Sequence, residues 1–267
     1  MSVDSKQTDT TSGSVKKRGL LRTILWTVLI LTAVTAMAFL LYVGRYYGTA
    51  PEVMDYYLNS PGRVQLHESN RGIFLDGPGQ ERALVFYPGG KVEYTAYLPL
   101  LYKLAEGKEG IDCFLVRMPF HLAIFGKNAA DKIVKEYAYS EWYIGGHSLG
   151  GAVASMYAAD HEELSGLILL AAYPTGPVHV PVIEIYGSAD GVLRQKKREE
   201  ADAYLPDGAR VEVLEGGNHA QFGNYGIQKG DGEAAITAEE QQDMTVRLIR
   251  EWIGNGNGTN DGNGTNE

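Results

Sequence analysis

The stretch GGHSLGG, residues 145–151, ends an apolar run and sets one serine among glycines. A hydroxyl is a weak nucleophile at neutral pH and needs a base, and the base needs a group that orients it. Ser148 stands between a strand-like run, Trp142–Gly145, and a helix-like run that opens with Gly151-Ala152-Val153-Ala154. A serine on so sharp a strand-to-helix turn is pushed out of the sheet edge, and Gly146, Gly150 and Gly151 let neighbouring backbone pass close by. At the helix start, the Leu149 N–H is placed to stabilise a negative oxygen.

The partners of such a serine come in the chain order acid, then histidine. Asp190 follows the apolar run Val182–Tyr186, and His219 follows Val211–Leu214. All three residues therefore fall at carboxyl ends of strands, where open parallel sheets place their sites. His219 is the only histidine after Asp190. Glu184, Asp202 and Glu215 compete with Asp190, but Glu184 lies within a strand, Asp202 in a polar helical stretch and Glu215 ahead of the histidine loop. A second oxyanion donor is expected from Tyr87-Pro88-Gly89-Gly90-Lys91, with Gly90 or Lys91 supplying the N–H; the plain alternative is a tight turn. His147 reads as a support for the serine turn, and His67, His121, His161 and His179 as surface or hydrogen-bonded polar residues.

The elements that must position these groups alternate. Apolar runs at Ala83–Tyr87, Ile111–Val116, Trp142–Gly145, Leu167–Ala172, Val182–Tyr186 and Val211–Leu214 read as buried strands. Tyr97–Leu104, Ala129–Tyr137 and Gly151–His161 have helical character, and Thr237 to Glu240 forms a capping box ahead of Met244, Leu248, Ile249 and Trp252 on one helix face. Strand and helix in alternation imply an α/β fold with a mostly parallel sheet covered by helices on both faces.

The ends differ from this core. Residues 1–18 read as a disordered cytoplasmic tail and 19–45 as one transmembrane helix, because Thr23–Val43 is uncharged and long enough to cross a bilayer. Trp26, Tyr42, Tyr46 and Tyr47 suit the interfacial belts. Lys16, Lys17, Arg18 and Arg22 precede the helix and only Arg45 follows closely, which puts the N-terminus in the cytoplasm and residues 46–253 outside it, in a single-pass protein of the cell membrane. The competing expectation is a secreted protein, cleaved near Ala36-Met37-Ala38, although Phe39–Val43 would then remain as an apolar stub. Residues 254–267 form a Gly/Asn-rich disordered tail with sequons at Asn257 and Asn263.

Composition narrows the partners. A net charge of -9, with no basic stripe beyond residue 22, argues against nucleic acid. The single cysteine, Cys113, rules out an internal disulfide and a CxxC site and reads as a small core residue.

Residues of about 80 to 253 resemble the α/β-hydrolase fold family, and more narrowly a group of small bacterial serine hydrolases with a YPGG loop, a MPFxLAxFG segment, GHSLGG, YGSxDG and GNHAQFG. Here these are Tyr87–Gly90, Met118–Gly126, Gly146–Gly151, Tyr186–Gly191 and Gly217–Gly223. The resemblance implies ester or related acyl hydrolysis by Ser148, with His219 as base and Asp190 as its orienter, acting on a small ester or acyl substrate without metal or organic cofactor. Dienelactone hydrolases carry Cys and haloalkane dehalogenases Asp at this turn, whereas the present chain carries Ser. Thioesterase, acyltransferase and peptidase chemistry use the same acyl-enzyme. An idle hydrolase-like binding module and a helix that pairs with a membrane partner are the readings outside enzymology. Only Tyr173–Val180 joins Ala172 to Pro181, so little or no lid is expected, and with it an open pocket for short acyl chains.

Overall fold

The computed structural model describes residues 10–51, 53–54, 57, 62–107 and 110–256. The chain forms two compact units that meet in sequence between Arg45 and Tyr46.

The first unit is one helix, α1 (Thr10–Val43). It begins within the stretch expected as a tail, so residues 10–18 are helical; once the apolar segment has nucleated a helix, each further residue costs little, and Lys and Arg are good helix formers. Residues 1–9 lie outside the described residues. The portion Gly19–Val43 is long and apolar enough to cross a membrane by length and composition. Large apolar side chains such as Leu25, Leu29, Leu31, Val34 and Leu41 are exposed around it.

The second unit is built on an eight-stranded sheet of order β1-β2-β4-β3-β5-β6-β7-β8. The strands are β1 (Gln65–Ser69), β2 (Gly72–Asp76), β3 (Arg82–Tyr87), β4 (Asp112–Val116), β5 (Glu141–His147), β6 (Gly166–Leu170), β7 (Val182–Gly187) and β8 (Arg210–Leu214). From β3 to β8 neighbours pair in parallel, while β1 and β2 join antiparallel at one edge. The expected runs match the six parallel strands to within two residues. The antiparallel pair was not anticipated, because QLHES is largely exposed and gives no apolar run.

Two apolar layers sandwich the sheet, and β3 shows how one strand serves both. Leu84 and Phe86 face the layer of α2 (Leu98–Ala105) and α6 (Ala238–Gly254). Ala83, Val85 and Tyr87 face that of α3 (Ala130–Glu136) and α4 (Leu149–Ala158). A short polar helix, α5 (Gln195–Glu200), follows β7. The Thr237–Glu240 capping box is formed, and Leu248, Ile249 and Trp252 are buried behind it. Met244 is only partly buried. Cys113 is fully buried, with its thiol donating to the Ile111 carbonyl at 3.0 Å. No helix interrupts residues 171–181, between β6 and β7. The sequons at Asn257 and Asn263 lie outside the described residues.

Candidate active site

Ser148 sits between β5 and α4 with φ 52° and ψ −122°, a conformation that costs a non-glycine residue energy. Its N–H donates to the Leu170 carbonyl at 2.9 Å, which fixes the turn against β6. The glycines are needed on steric grounds: a Cβ on Gly150 would lie 2.1 Å from the Tyr87 carbonyl oxygen, and one on Gly146 would lie 2.6 Å from Gly150 backbone.

The loop after β7 brings Asp190 to His219, and the contest among carboxylates is decided by contact. Asp190 Oδ2 accepts from His219 Nδ1 at 2.8 Å, and both side chains are 2% exposed. Its other oxygen, Oδ1, accepts the N–H groups of Val192 and Leu193, each at 2.8 Å. Glu184 instead pairs with Arg198 at 2.7 Å, Asp202 joins the same guanidinium at 3.0 Å, and Glu215 is exposed. With Nδ1 donating to Asp190, the Nε2 of His219 is the acceptor of the ring. That atom is buried and has no hydrogen-bond partner. It makes no hydrogen bond to Ser148 Oγ, yet His219 and Ser148 line one cavity of about 260 Å³. Ser148 and His219 therefore line one chamber without a hydrogen bond between Oγ and Nε2.

The two loop donors separate clearly. Lys91 has φ 60°, and its N–H donates to the His121 carbonyl at 2.7 Å, so it is committed elsewhere; sequence alone does not reveal a partner thirty residues away. Gly90 lies against Leu149, where an added Cβ would come 2.9 Å from Leu149 Cδ2. Gly90 is thus the loop residue that packs on the Leu149 side chain, next to Ser148 in the chain.

Further residues complete the site. His147 Nε2 faces the His219 carbonyl oxygen at 3.1 Å and must donate to it, which leaves Nδ1 to accept from the Tyr97 hydroxyl at 2.8 Å. Tyr97 in turn accepts the Gly89 N–H at 3.1 Å. Burial, reinforced by the neighbouring His219, pushes the His147 pKa well below the ordinary imidazole value and keeps this ring neutral. Asp231 was not anticipated. Its carboxylate accepts the N–H groups of His219 at 3.1 Å, Ala220 at 2.8 Å and Gly191 at 3.2 Å, so it fastens the histidine loop to the acid loop. Tyr47 was expected only as an interfacial aromatic. Its N–H donates to the Lys91 carbonyl at 2.7 Å, its carbonyl accepts from Glu93 at 2.8 Å, and its hydroxyl accepts from the Lys229 N–H at 3.2 Å.

Comparison with known proteins agrees with this architecture. The chain is similar in structure to an esterase of Mycobacterium tuberculosis, with a TM-score of 0.54 and 13% identity over 76% of this chain and 95% of that one. A dienelactone hydrolase of Anabaena variabilis matches with a TM-score of 0.52 and 14% identity over 72% of this chain and 98% of that one. A bacterial membrane phospholipase A, described as a virulence factor, matches with a TM-score of 0.53 and 14% identity over 92% of this chain and 99% of that one. At such identities these likenesses show the fold. No curated protein matches in sequence. The model of the Alpha/beta hydrolase family matches residues 83–243, more than half of the sequence, and the chain belongs to that family.

Proposed function

We propose that this protein is a membrane-anchored serine hydrolase that cleaves ester bonds through an acyl-enzyme. The observation that carries the reading is the ordered pair Asp190–His219 at 2.8 Å, with His219 lining the same cavity as the strained Ser148 and its Nε2 left without a hydrogen-bond partner. In this mechanism His219 Nε2 takes the proton from Ser148 Oγ as Oγ bonds to the substrate carbonyl carbon. The carbonyl electron pair moves onto oxygen, where the N–H groups of Leu149 and Gly90 receive it. Asp190 holds the imidazolium in place. Collapse of the intermediate expels the alcohol, which leaves with the proton from His219. Water then repeats the sequence on the acyl-enzyme, giving its proton to His219 and releasing the acid and Ser148.

Substrates are small. A cavity of about 260 Å³ lies just below the roughly 300–1,000 Å³ of pockets that take drug-sized ligands. The short connection 171–181 adds no helical cover. The motifs Gly146–Gly151 and Gly217–Gly223 support a place among the small bacterial serine hydrolases they resemble. The basic residues before Gly19 and the apolar run to Val43 support a single span, with the N-terminus cytoplasmic and the hydrolase unit on the other side.

The test is fluorophosphonate labelling of the full chain in detergent, with Ser148→Ala and His219→Ala alongside and short- and long-chain esters compared. Labelling lost in both variants, with short-chain esters turned over faster, is the expected result. A folded wild-type chain that resists labelling refutes the reading in favour of an idle binding module.

A further inference from the structure

We propose that Arg194 is an anion-binding corner of the catalytic cavity, and that the substrates of this enzyme are short esters bearing a carboxylate or a phosphate. This rests on the serine hydrolase reading above and narrows its substrate class.

Arg194 lines the cavity that holds Ser148 and His219. Most of the remaining lining is apolar or neutral, including Leu149, Ala152, Ala172 and Thr175, so the guanidinium is the one permanent charge among the described lining residues. A carboxylate partner would explain it away, and among the described residues no carboxylate lies within ion-pair distance of it. By contrast Arg71, Arg82, Arg198, Arg210 and Arg247 each pair with a Glu. Lys196, Lys197 and Arg198 follow it in the sequence, but Lys197 and Arg198 each pair with a Glu and neither Lys196 nor Lys197 lines the cavity.

Its backbone is fixed in the frame of the reacting groups. Asp190 Oδ1, on the carboxylate that orients His219, accepts the N–H groups of the two preceding residues, Val192 and Leu193. On the far side the Arg194 carbonyl accepts the Arg198 N–H at 3.0 Å. Arg198 is itself held by its buried pair with Glu184 at 2.7 Å. Both anchors hold the Arg194 backbone at the rim of the cavity, from which its exposed side chain can reach a bound anion. A guanidinium offers a planar fork that matches carboxylate and phosphate oxygens two at a time. The alternation of a neutral wall and one cation suits a short acyl or alcohol group that ends in an anion.

The test uses the full chain in detergent and two matched pairs of esters followed by proton release. Methyl butyrate is compared with monomethyl succinate, which puts a carboxylate on the acyl side. A butyryl ester of glycerol is compared with that of glycerol phosphate, which puts the charge on the alcohol side. The quantity read is the charged-to-neutral ratio of kcat/KM. Arg194→Gln lowers this ratio by roughly five- to tenfold in one pair, and Arg194→Glu lowers it further. Sodium chloride lowers the same ratio in the wild type, because the side chain is open to solvent. The pair that responds identifies the side of the ester that Arg194 reads. A ratio unmoved by both substitutions in both pairs, with labelling and turnover intact, overturns the proposal and leaves the serine hydrolase standing. Loss of labelling in the wild type overturns both.

Discussion

Asp231→Asn removes half of a carboxylate whose oxygens are both in use. In the wild type Oδ1 accepts from Gly191 at 3.2 Å and His219 at 3.1 Å, while Oδ2 accepts from Ala220 at 2.8 Å. Asparagine keeps one acceptor oxygen, so in either amide orientation at least one backbone N–H faces an NH₂ group. One charge-assisted hydrogen bond is lost outright, at about 1.5–3 kcal/mol, and the survivors become neutral. Asp231 is partly exposed, which favours the lower end, about 2 kcal/mol in urea unfolding. The larger consequence falls on rate. The histidine loop and the acid loop lose their common fastener, and a displacement on the order of 1 Å at a reacting group costs about a hundredfold. Steady-state hydrolysis of a short ester, at a temperature where circular dichroism shows the variant folded, is expected to give kcat down by about ten- to a hundredfold, with KM changed far less. A purely structural residue would lower stability and leave the folded fraction fully active. A folded Asp231→Asn protein with kcat within threefold of wild type refutes the argument.

Two further outcomes follow from the surroundings of the triad. Burial keeps the folded-state pKa of His147 below its ordinary 6.5, so the unfolded chain binds a proton that the native one refuses. Stability from this residue is therefore complete above about pH 6.5 and falls by about 1.4 kcal/mol per unit as the pH drops below it, and His147→Gln is expected to flatten that slope in urea titrations between about pH 7 and 5. Tyr47→Pro deletes the N–H that donates to the Lys91 carbonyl at 2.7 Å and loosens the loop that carries Gly90. Ester kcat is expected to fall by about tenfold, the cost of losing much of one oxyanion donor being larger still, and an unchanged rate would separate Tyr47 from the site.

What the sequence makes legible depends on how far each signal travels. The buried strand GLILL, β6, announces itself because both faces are covered and every residue is apolar. Ser148, Asp190 and His219 are visible for a related reason: each follows an apolar strand and stands among glycines that a tight loop requires. QLHES and QKKREE give no such signal. The first is an exposed edge strand, and the second is a polar helix fastened through the buried contact of Arg198 with Glu184. Lys91 and Gly90 look equivalent in the sequence, and only the carbonyl of His121 distinguishes them. Asp231 and Tyr47 act on backbone groups far along the chain, where residue type and spacing carry no record of the contact.

These long-range contacts act on His219 together with its bond to Asp190. His219 is held at its ring by Asp190, at its N–H by Asp231 and at its carbonyl by His147, and the N–H of the next residue also goes to Asp231. Every polar atom of the residue except Nε2 is thus occupied before substrate arrives. The two carboxylates divide the work: Asp190 spends one oxygen on its own loop and one on the imidazole, whereas Asp231 gives both to backbone. In the proposed mechanism a ring fixed in this way loses little further freedom on accepting the serine proton, because its orientation is already stored in the folded chain. The chain through His147 and Tyr97 to Gly89 extends that hold to the loop beside it, which carries the Gly90 amide. Under the proposed mechanism, base and oxyanion donor would thus be positioned by one connected network, and a substitution in either half is expected to be felt in both.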